Sequence, residues 1–393
     1  MFVKTRLLTP GPTATAESTR LAMAAALPHH RSSVFTPVFL RSLELLRWFW
    51  ETDDDVLFVS GSGTAGMEAA LRTVLRAGDE VVVVTGGKFA DRWHTIVKLL
   101  GCRVHLVEVP WGSSATVAQL DEVLAAAGDV RALVCVASET STGALHPVVE
   151  LVEALRARFP EAVAMVDGIT AVGTVDLSMR RHGIDVLVSG TQKAFGLPPG
   201  GAMVGMSARA WSAADRDGCT AYYLDLRRER KQTAQGQSAC TPAHGLIVGL
   251  HEVFERWHAA GRERVLEHAR VLSDATVAGV RALGLELFPS GPPSRALTAV
   301  AMPDGVRASE LVAWMRSRCG LTCASGQDHL KDVVLRIGHL GAVDPFDIVQ
   351  GIAALELALQ AAGRTTEAGA GVAAVQRVIA PALVAQAPLL YQP

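Results

Sequence analysis

The sequence predicts an α/β protein in which a large domain, built on a mainly parallel sheet, precedes a smaller α+β domain. Between Asp55 and Val204, short β-branched runs alternate with amphipathic stretches, which is typical of βα units that form a parallel sheet. After about residue 206, long helical stretches dominate and apolar runs become sparse. The chain has 393 residues, of which 49% are hydrophobic, so it can bury a large core over roughly two to three domains.

The predicted elements follow in chain order. A first helix runs from Pro37 to Trp50 and ends at an acidic turn. Apolar runs predict the strands of the large domain at Val56–Val59, Val81–Val84, Val104–Val107, Ala132–Val136, Ala162–Val166, Val186–Val188 and Ala202–Val204. The later part of the chain predicts helices at Gly245–Ala259, Arg262–Leu283 and Ala308–Arg318, and strands at Leu297–Met302 and Val333–Ile337. Helical periodicity returns over Val372–Val384. We therefore expect an N-terminal arm over 1–16, a large domain over 17–260, a small C-terminal domain over 261–362 and an Ala-rich helical tail over 363–393.

Charge and composition argue against several functions. The formal net charge is -2, so nucleic-acid binding is not expected, and the basic run 227–231 is most simply a solvated face. The first residues are too polar for a signal peptide, and no apolar stretch reaches the length of a membrane span, so we expect a soluble, cytoplasmic protein. The 6 cysteines include no Cys-x-x-Cys pair, which favours reduced thiols over disulfides or zinc. His29 and His30 are adjacent and do not share a helix face, so a metal site is not expected either.

A lysine and an aspartate each follow a predicted strand. Lys193 stands in the loop after the apolar run 185–188, and Asp167 follows the run that ends at Val166. Because ligands bind at the carboxyl ends of the strands in an open parallel sheet, both side chains could meet one small molecule. Pyridoxal 5'-phosphate needs this pair, since a lysine holds its aldehyde as a Schiff base and a carboxylate keeps its ring nitrogen protonated. The two positions therefore predict a pyridoxal phosphate enzyme.

A glycine-rich segment allows a second interpretation. Gly61–Gly66 matches G-x-G-x-x-G between a strand and a helix, which is the outline of a dinucleotide-binding loop and suggests an NAD-dependent dehydrogenase. In that fold an acid should end the second strand, yet Asp79 and Glu80 precede it. Both interpretations share a phosphate site, because small residues let backbone N–H groups approach an anion at a helix N-terminus.

The motifs of the chain, taken in order, resemble those of the class V aminotransferases of pyridoxal phosphate fold type I, which is aspartate aminotransferase-like. The alanine-glyoxylate and serine-glyoxylate (serine-pyruvate) aminotransferases are the most similar group. The resemblance spans about residues 8–359 and rests on Thr9–Pro12, Ser60–Gly66, Gly86–Phe89, Ser138–Gly143, Val166–Asp167, Ser189–Lys193 with Pro198–Gly200, and Leu335–Gly341. It implies a transaminase of the EC 2.6.1 type, and a homodimer whose active sites lie near the subunit interface.

The resemblance also implies roles toward the cofactor. Lys193 would be the Schiff-base lysine and the proton shuttle, Asp167 would pair with the pyridinium nitrogen, and Phe89 would stack on the ring. Thr140 would lie near the phenolic oxygen of the cofactor. The phosphate would be held by Ser62, Gly63, Thr64 and Gln192, and also by Thr241 of the partner subunit.

For the substrate, the resemblance implies that Arg336 takes the carboxylate through a two-pronged pair while Gly11 closes the other side by backbone contact. Arg92 could be a second anchor, although an arginine on a helix face is more often solvated. Residues 238–244 lack the bulky group that relatives often carry before Thr-Pro, so we expect a pocket wider than glyoxylate requires.

We therefore expect a ping-pong transfer of an amino group from alanine or serine to glyoxylate or pyruvate. A different or larger amino substrate in a specialised pathway is one alternative. Another is a lyase such as a cysteine desulfurase with Cys323 or Cys240 as sulfur acceptor, which requires an exposed, mobile thiol of lowered pKa. The NAD-dependent dehydrogenase is less favoured, because it would make Lys193 dispensable.

Overall fold

The computed structural model describes residues 5–384 and Leu390, and it confirms the predicted α/β order. The helices are α1 (Glu17–Ala24), α2 (Phe35–Trp50), α3 (Gly63–Val74), α4 (Lys88–Leu99), α5 (Val117–Ala126), α6 (Val148–Arg158), α7 (Ala208–Ala214), α8 (Leu226–Thr233), α9 (His244–Ala260), α10 (Arg262–Ala282), α11 (Ala308–Cys319), α12 (Pro345–Ala361) and α13 (Ala370–Val384). The strands are β1 (Arg6–Leu7), β2 (Asp55–Ser60), β3 (Glu80–Val84), β4 (Arg103–Val107), β5 (Val130–Val136), β6 (Ser138–Glu139), β7 (Ala144–Leu145), β8 (Val163–Asp167), β9 (Val186–Gly190), β10 (Gly201–Met206), β11 (Glu286–Leu287), β12 (Leu297–Ala301), β13 (Leu321–Thr322), β14 (Ala324–Ser325) and β15 (Val334–Gly338). A short 3-10 helix covers Asp328–Leu330.

The large domain is built on a 7-stranded sheet in the order β2-β10-β9-β8-β5-β3-β4. Strands β9, β8, β5, β3 and β4 pair in parallel, whereas β10 is antiparallel to both β2 and β9. Side chains of one strand alternate between two buried cores, with Val82 and Val84 in one and Val81 and Val83 in the other. Both faces of the sheet are therefore covered, as a mainly parallel sheet requires, and only its edges and strand ends remain for ligands.

The small domain carries an antiparallel sheet in the order β11-β12-β15-β14. Its register sets Arg336 between Ala299 on one neighbouring strand and Ala324 on the other. Strand β1 pairs in parallel with β13, which attaches the N-terminal segment to this domain. The segment then continues to Gly11, which reaches the cavity at the sheet of the large domain. Residues of both domains therefore approach the same place.

The last described helix, α13, packs against α10 and α12. Its side chains Val375 and Ile379 are buried in the core of the small domain. A Cβ atom at Gly279 would lie 2.8 Å from Val375 Cγ2, so α10 needs glycine there for this close packing. The predicted helix at 372–384 is thus present and starts two residues earlier. Among the described residues, no helix is long and apolar enough to cross a bilayer.

Candidate active site

Lys193 and Asp167 lie on the wall of one cavity of about 330 Å³ at the carboxyl ends of β8 and β9. The same cavity is lined by the predicted residues Gly11, Ser62, Gly63, Thr64, Phe89, Thr140 and Gln192. Thr241 is exposed and does not line it, and neither does Arg336. A larger open cleft of about 720 Å³ near the amino end of β2 contains none of the predicted residues.

The amine of Lys193 is almost completely removed from water, with 8% of the residue exposed. Its Nζ donates a hydrogen bond of 2.6 Å to the carbonyl oxygen of Pro10. A Cβ atom at Gly11 would lie 2.6 Å from that Nζ, and φ of Gly11 is +132°, so only glycine fits beside the amine. The pKa of Lys193 is lowered from 10.5 to about 8, chiefly by burial; the charges of Arg336 and Arg92 act in the same direction, and those of Asp167 and Glu139 oppose it. A sizeable fraction of the amine is therefore neutral near physiological pH.

Asp167 is held by two hydrogen-bond donors. Trp93 Nε1 donates to Oδ2 at 3.0 Å, and the backbone N–H of Ile169 donates to Oδ1 at 2.8 Å. Burial raises the pKa of Asp167, while these hydrogen bonds and the charge of Lys193 act in the opposite direction. A carboxyl group in this position gains from a cationic partner, which a protonated ring nitrogen supplies.

The glycine-rich loop forms a cradle for an anion at the start of α3. Ser62 is the N-cap, and Gly63 and Thr64 are the first two helical residues, so their N–H groups precede the first intrahelical donors. A Cβ atom at Gly63 would lie 2.6 Å from Ile169 Cδ1, so a side chain at this position would clash with Ile169. Gln192 Oε1 is buried and has no hydrogen-bond partner among the described residues. The free helix N–H groups fit a phosphate group, and Gln192 would contribute to it through its amide NH2, since its Oε1 can only accept a hydrogen bond.

Phe89 owes its position to a buried glutamate that the sequence reasoning missed. Glu139 Oε2 accepts hydrogen bonds from the backbone N–H groups of Phe89 and Ala90 at 3.1 and 3.0 Å. Its Oε1 accepts from the backbone N–H and the hydroxyl of Ser141 at 3.0 and 2.6 Å. The carboxylate thus caps the N-terminus of α4 and fixes the Phe89 ring, whose centroid lies 6.0 Å from Lys193 Nζ.

Three residues on one face of α4 serve the same cavity. Phe89 and Arg92 line it. Trp93 does not line it but donates a hydrogen bond to Asp167, which does. Their spacing of i, i+3 and i+4 places them on one side of a helix, and this spacing could have identified Arg92 and Trp93 from the sequence. Glu139 had no comparable signal, because its partners lie about 50 residues earlier in the chain.

Arg336 reaches toward this site from the small domain. Its Nη1 donates to the carbonyl oxygen of Thr140 at 3.0 Å, and its Nε and Nη2 donate to the carbonyl oxygen of Ser325 at 3.0 and 2.8 Å. Thr140 lines the cavity and shares a hydrogen bond of 2.7 Å with the hydroxyl of Thr170. Burial lowers the pKa of Arg336 to about 10, which still leaves the guanidinium charged at neutral pH. Arg336 is therefore one residue away from the cavity that holds Lys193.

The cysteines considered as sulfur acceptors lie elsewhere. Cys323 is 3% exposed, and burial raises the pKa of its thiol to about 12, so the reactive thiolate is scarce. Cys240 lines a separate small crevice with Tyr223 and Glu229. Among the described residues, no group of three or more His, Cys, Asp and Glu side chains could hold a metal ion.

Comparisons with known proteins assign the family. The model of the family "Aminotransferase class-V" matches residues 20–340. The chain is 36% identical over 383 residues to the "Soluble hydrogenase, small subunit" of Synechococcus sp. (strain PCC 6716), covering 96% of this chain and 99% of the relative. It is 32% identical over 372 residues to the L-aspartate--glyoxylate aminotransferase of Paracoccus denitrificans, covering 93% and 94%. The structure of a subgroup IV aspartate aminotransferase from Thermus thermophilus superposes with a TM-score of 0.85 at 31% identity, covering 91% of this chain and 99% of that one. The chain therefore belongs to the class V aminotransferase family and is a transaminase with pyridoxal phosphate as its cofactor.

Proposed function

We propose that this protein moves an amino group from a small L-amino acid, alanine or serine, to a small 2-oxo acid, glyoxylate or pyruvate. One observation carries the proposal: Lys193 and Asp167 face one cavity whose other walls are the Gly63 cradle and Phe89. A neutral amine, a buried carboxyl group, an anion cradle and an aromatic ring are the groups that amino transfer on this cofactor requires. The glyoxylate in the name of the Paracoccus relative supports the acceptor.

In this proposal the residues of the cavity hold the cofactor by its separate groups. Ser62, Gly63, Thr64 and Gln192 bind the phosphate, Asp167 pairs with the ring nitrogen, and Phe89 covers one face of the ring. Thr140 lies beside the phenolic oxygen. When bound, pyridoxal phosphate withdraws electrons from the α-carbon of the substrate. Lys193 would hold the cofactor aldehyde at rest, and once the substrate amine has displaced it, its freed Nζ would accept the proton of the substrate α-carbon and donate it to the C4' carbon.

Arg336 is proposed as the site of the substrate carboxylate. Its guanidinium donates to the backbone of Ser325 and Thr140, so it is already oriented toward the cavity wall, and a bound carboxylate would take its remaining N–H capacity. Gly11 is proposed to close the opposite side through its backbone. A substrate with one carboxylate needs only this forked cation, because the other arginine at the cavity, Arg92, is hydrogen-bonded to Thr64 of the phosphate cradle.

A dicarboxylic donor is the second candidate, because one relative and one similar structure carry aspartate in their names. Its distal carboxylate would need another cation near the cavity. Lys88 is adjacent to Phe89, but its Nζ lies 2.8 Å from Asp328 Oδ2. That ion pair would have to open, which favours the smaller donors.

The proposal includes a cytoplasmic homodimer in which Thr241 of the partner subunit completes the phosphate site. Thr241 is exposed and lies outside the cavity of its own subunit, as this arrangement requires. Size measurement in solution tests the dimer separately from the chemistry.

The test uses the full chain loaded with pyridoxal phosphate. L-alanine, L-serine and L-aspartate are added one at a time, and loss of the visible absorbance of the cofactor is followed. We expect alanine or serine to remove the absorbance and glyoxylate or pyruvate to restore it, with the matching amino acid formed. Bleaching by aspartate alone would favour the second candidate, and no response to any amino acid would refute amino transfer from these donors. Lys193→Ala is the control that must not cycle.

A further inference from the structure

Arg92 lies in the active-site cavity between the phosphate cradle and the Phe89 ring. It is half-buried on α4 and lines the same cavity as Lys193. Its Nη1 donates a hydrogen bond of 2.8 Å to Thr64 Oγ1, and its guanidinium carbon lies 5.0 Å from the centroid of the Phe89 ring. Thr64 is the second residue of α3, so this contact fixes the guanidinium beside the N-terminus that forms the cradle.

The charge of Arg92 lacks a counter-ion within the described part of the chain, since no carboxylate there approaches it within ion-pair distance. Two other half-buried arginines of the large domain have one: Arg72 lies 2.7 Å from Glu68, and Arg216 lies 2.7 Å from Asp79. A partly buried cation without an anionic partner costs free energy, and the Phe89 ring offsets only part of it. An anion in the cavity would supply the missing charge.

We propose that Arg92 provides the positive charge that holds the cofactor phosphate. The inference rests on the proposed phosphate site at Ser62, Gly63 and Thr64 and adds a charged residue to it. This anion is more readily the cofactor phosphate than the substrate carboxylate, because Arg92 is hydrogen-bonded to Thr64 of the cradle. Arg336, in contrast, is bonded to Thr140. A guanidinium fork also suits phosphate oxygens.

The test compares two ligands that differ only in the phosphate. The full chain is stripped of cofactor, and the dissociation constants of pyridoxal phosphate and of pyridoxal are measured by absorbance. The variants are Arg92→Gln, Arg92→Lys and, as a matched control on the same helix, Lys98→Gln, whose side chain is exposed. We expect Arg92→Gln to raise the dissociation constant of pyridoxal phosphate by about tenfold or more and to change that of pyridoxal by less than about twofold. Arg92→Lys should fall between the wild type and Arg92→Gln, and Lys98→Gln should match the wild type.

Two results would overturn the inference and leave the proposed phosphate cradle standing. Equal weakening of both ligands would mean that Arg92 acts by supporting Phe89 or the fold. Unchanged binding of both, with a raised KM for the amino donor, would place Arg92 in the substrate site. If the wild type itself bound pyridoxal phosphate no better than pyridoxal, the proposed phosphate cradle would fail together with the inference.

Discussion

At the residue scale, burial gives Lys193 its chemistry. The amine is held by the Pro10 carbonyl in a space that only glycine at position 11 leaves open. Removal from water disfavours the ammonium form, and this brings the pKa of Lys193 to about 8. The lysine and Asp167 were predictable from the sequence, because each follows an apolar strand. Glu139 was not, because it acts on residues of a distant element, and Trp93 could have been recognised only by its helical spacing from Phe89.

The lowered pKa of Lys193 predicts how fast the cofactor attaches at different pH. Only the neutral amine attacks an aldehyde, so the rate should rise with pH and level off above about 8, well below the ordinary value of 10.5. Stopped-flow absorbance of the cofactor-free chain mixed with pyridoxal phosphate measures this profile. A rate that still rises near pH 10 would show that the pKa of the Lys193 amine is not lowered.

Substitution of Arg336 should affect substrate binding more than the cofactor. Arg336→Lys keeps the charge but loses the fork, so KM for the amino donor should rise about 10- to 100-fold, with little change in cofactor absorbance. Steady-state kinetics of both half-reactions measure this effect. Arg318→Lys, at an exposed site in the same domain, is the control. An unchanged KM would remove Arg336 from the substrate site.

At the element scale, helix α4 organises the cavity. Its first turn is fixed by Glu139, and its next turn presents Arg92 to Thr64 and Trp93 to Asp167. The sequence predicted the strands of the large sheet well because they are mostly apolar runs, but it did not predict the two-residue strands. It did not predict that β10 runs antiparallel, since an apolar run has no direction. The polar helix α8 was also missed, because it buries little apolar surface.

Glu139→Gln should destabilise the protein and loosen Phe89. The amide retains one oxygen, so either the Phe89 and Ala90 N–H groups or those of Ser141 would face an NH2 donor. We expect a loss of about 1–3 kcal/mol in the free energy of unfolding, measured by urea denaturation, and weaker binding of the cofactor. Glu68→Gln, which alters a partly exposed i,i+4 pair with Arg72, should cost less than about 0.5 kcal/mol. Equal effects of the two substitutions would contradict the capping role.

At the scale of the whole molecule, contacts between the two domains complete the site. Arg336 of the small domain binds the Thr140 carbonyl of the large one, and Lys88 of α4 pairs with Asp328 on the short helix after β14. The N-terminal segment joins β13 and then passes Lys193. The order of motifs predicted which segments meet. The detailed shape of the cavity wall depends on how the two domains pack together. The residue pattern along a single strand or helix does not predict that packing.

Stability should decline in mild acid because several histidines are buried in the neutral form. Burial lowers the pKa of His146 to about 4, and its Nδ1 accepts a hydrogen bond of 3.1 Å from the Ala115 N–H. A pKa depressed in the folded state means that the unfolded chain takes up the proton first. The stabilisation that His146 contributes to the folded state is therefore complete above about pH 6.5 and is lost progressively toward pH 4.

We expect this histidine to contribute a loss of about 1 kcal/mol between pH 7.5 and pH 5.5, measured as the free energy of urea unfolding. His146→Asn should make the pH dependence shallower, whereas substitution of the exposed His29 by Asn should leave it unchanged. The same slope in both variants would show that His146 is not buried in the neutral form.

Above all, we expect Lys193 to carry the cofactor in the cavity that Asp167 faces. Borohydride reduction of the loaded full chain, followed by peptide mass spectrometry, tests it most directly, because the reduced bond marks the lysine that held the aldehyde. We predict a pyridoxyl group on Lys193 and none on the Lys193→Ala variant. Labelling of a different lysine, or no labelling of the wild type, would contradict the account.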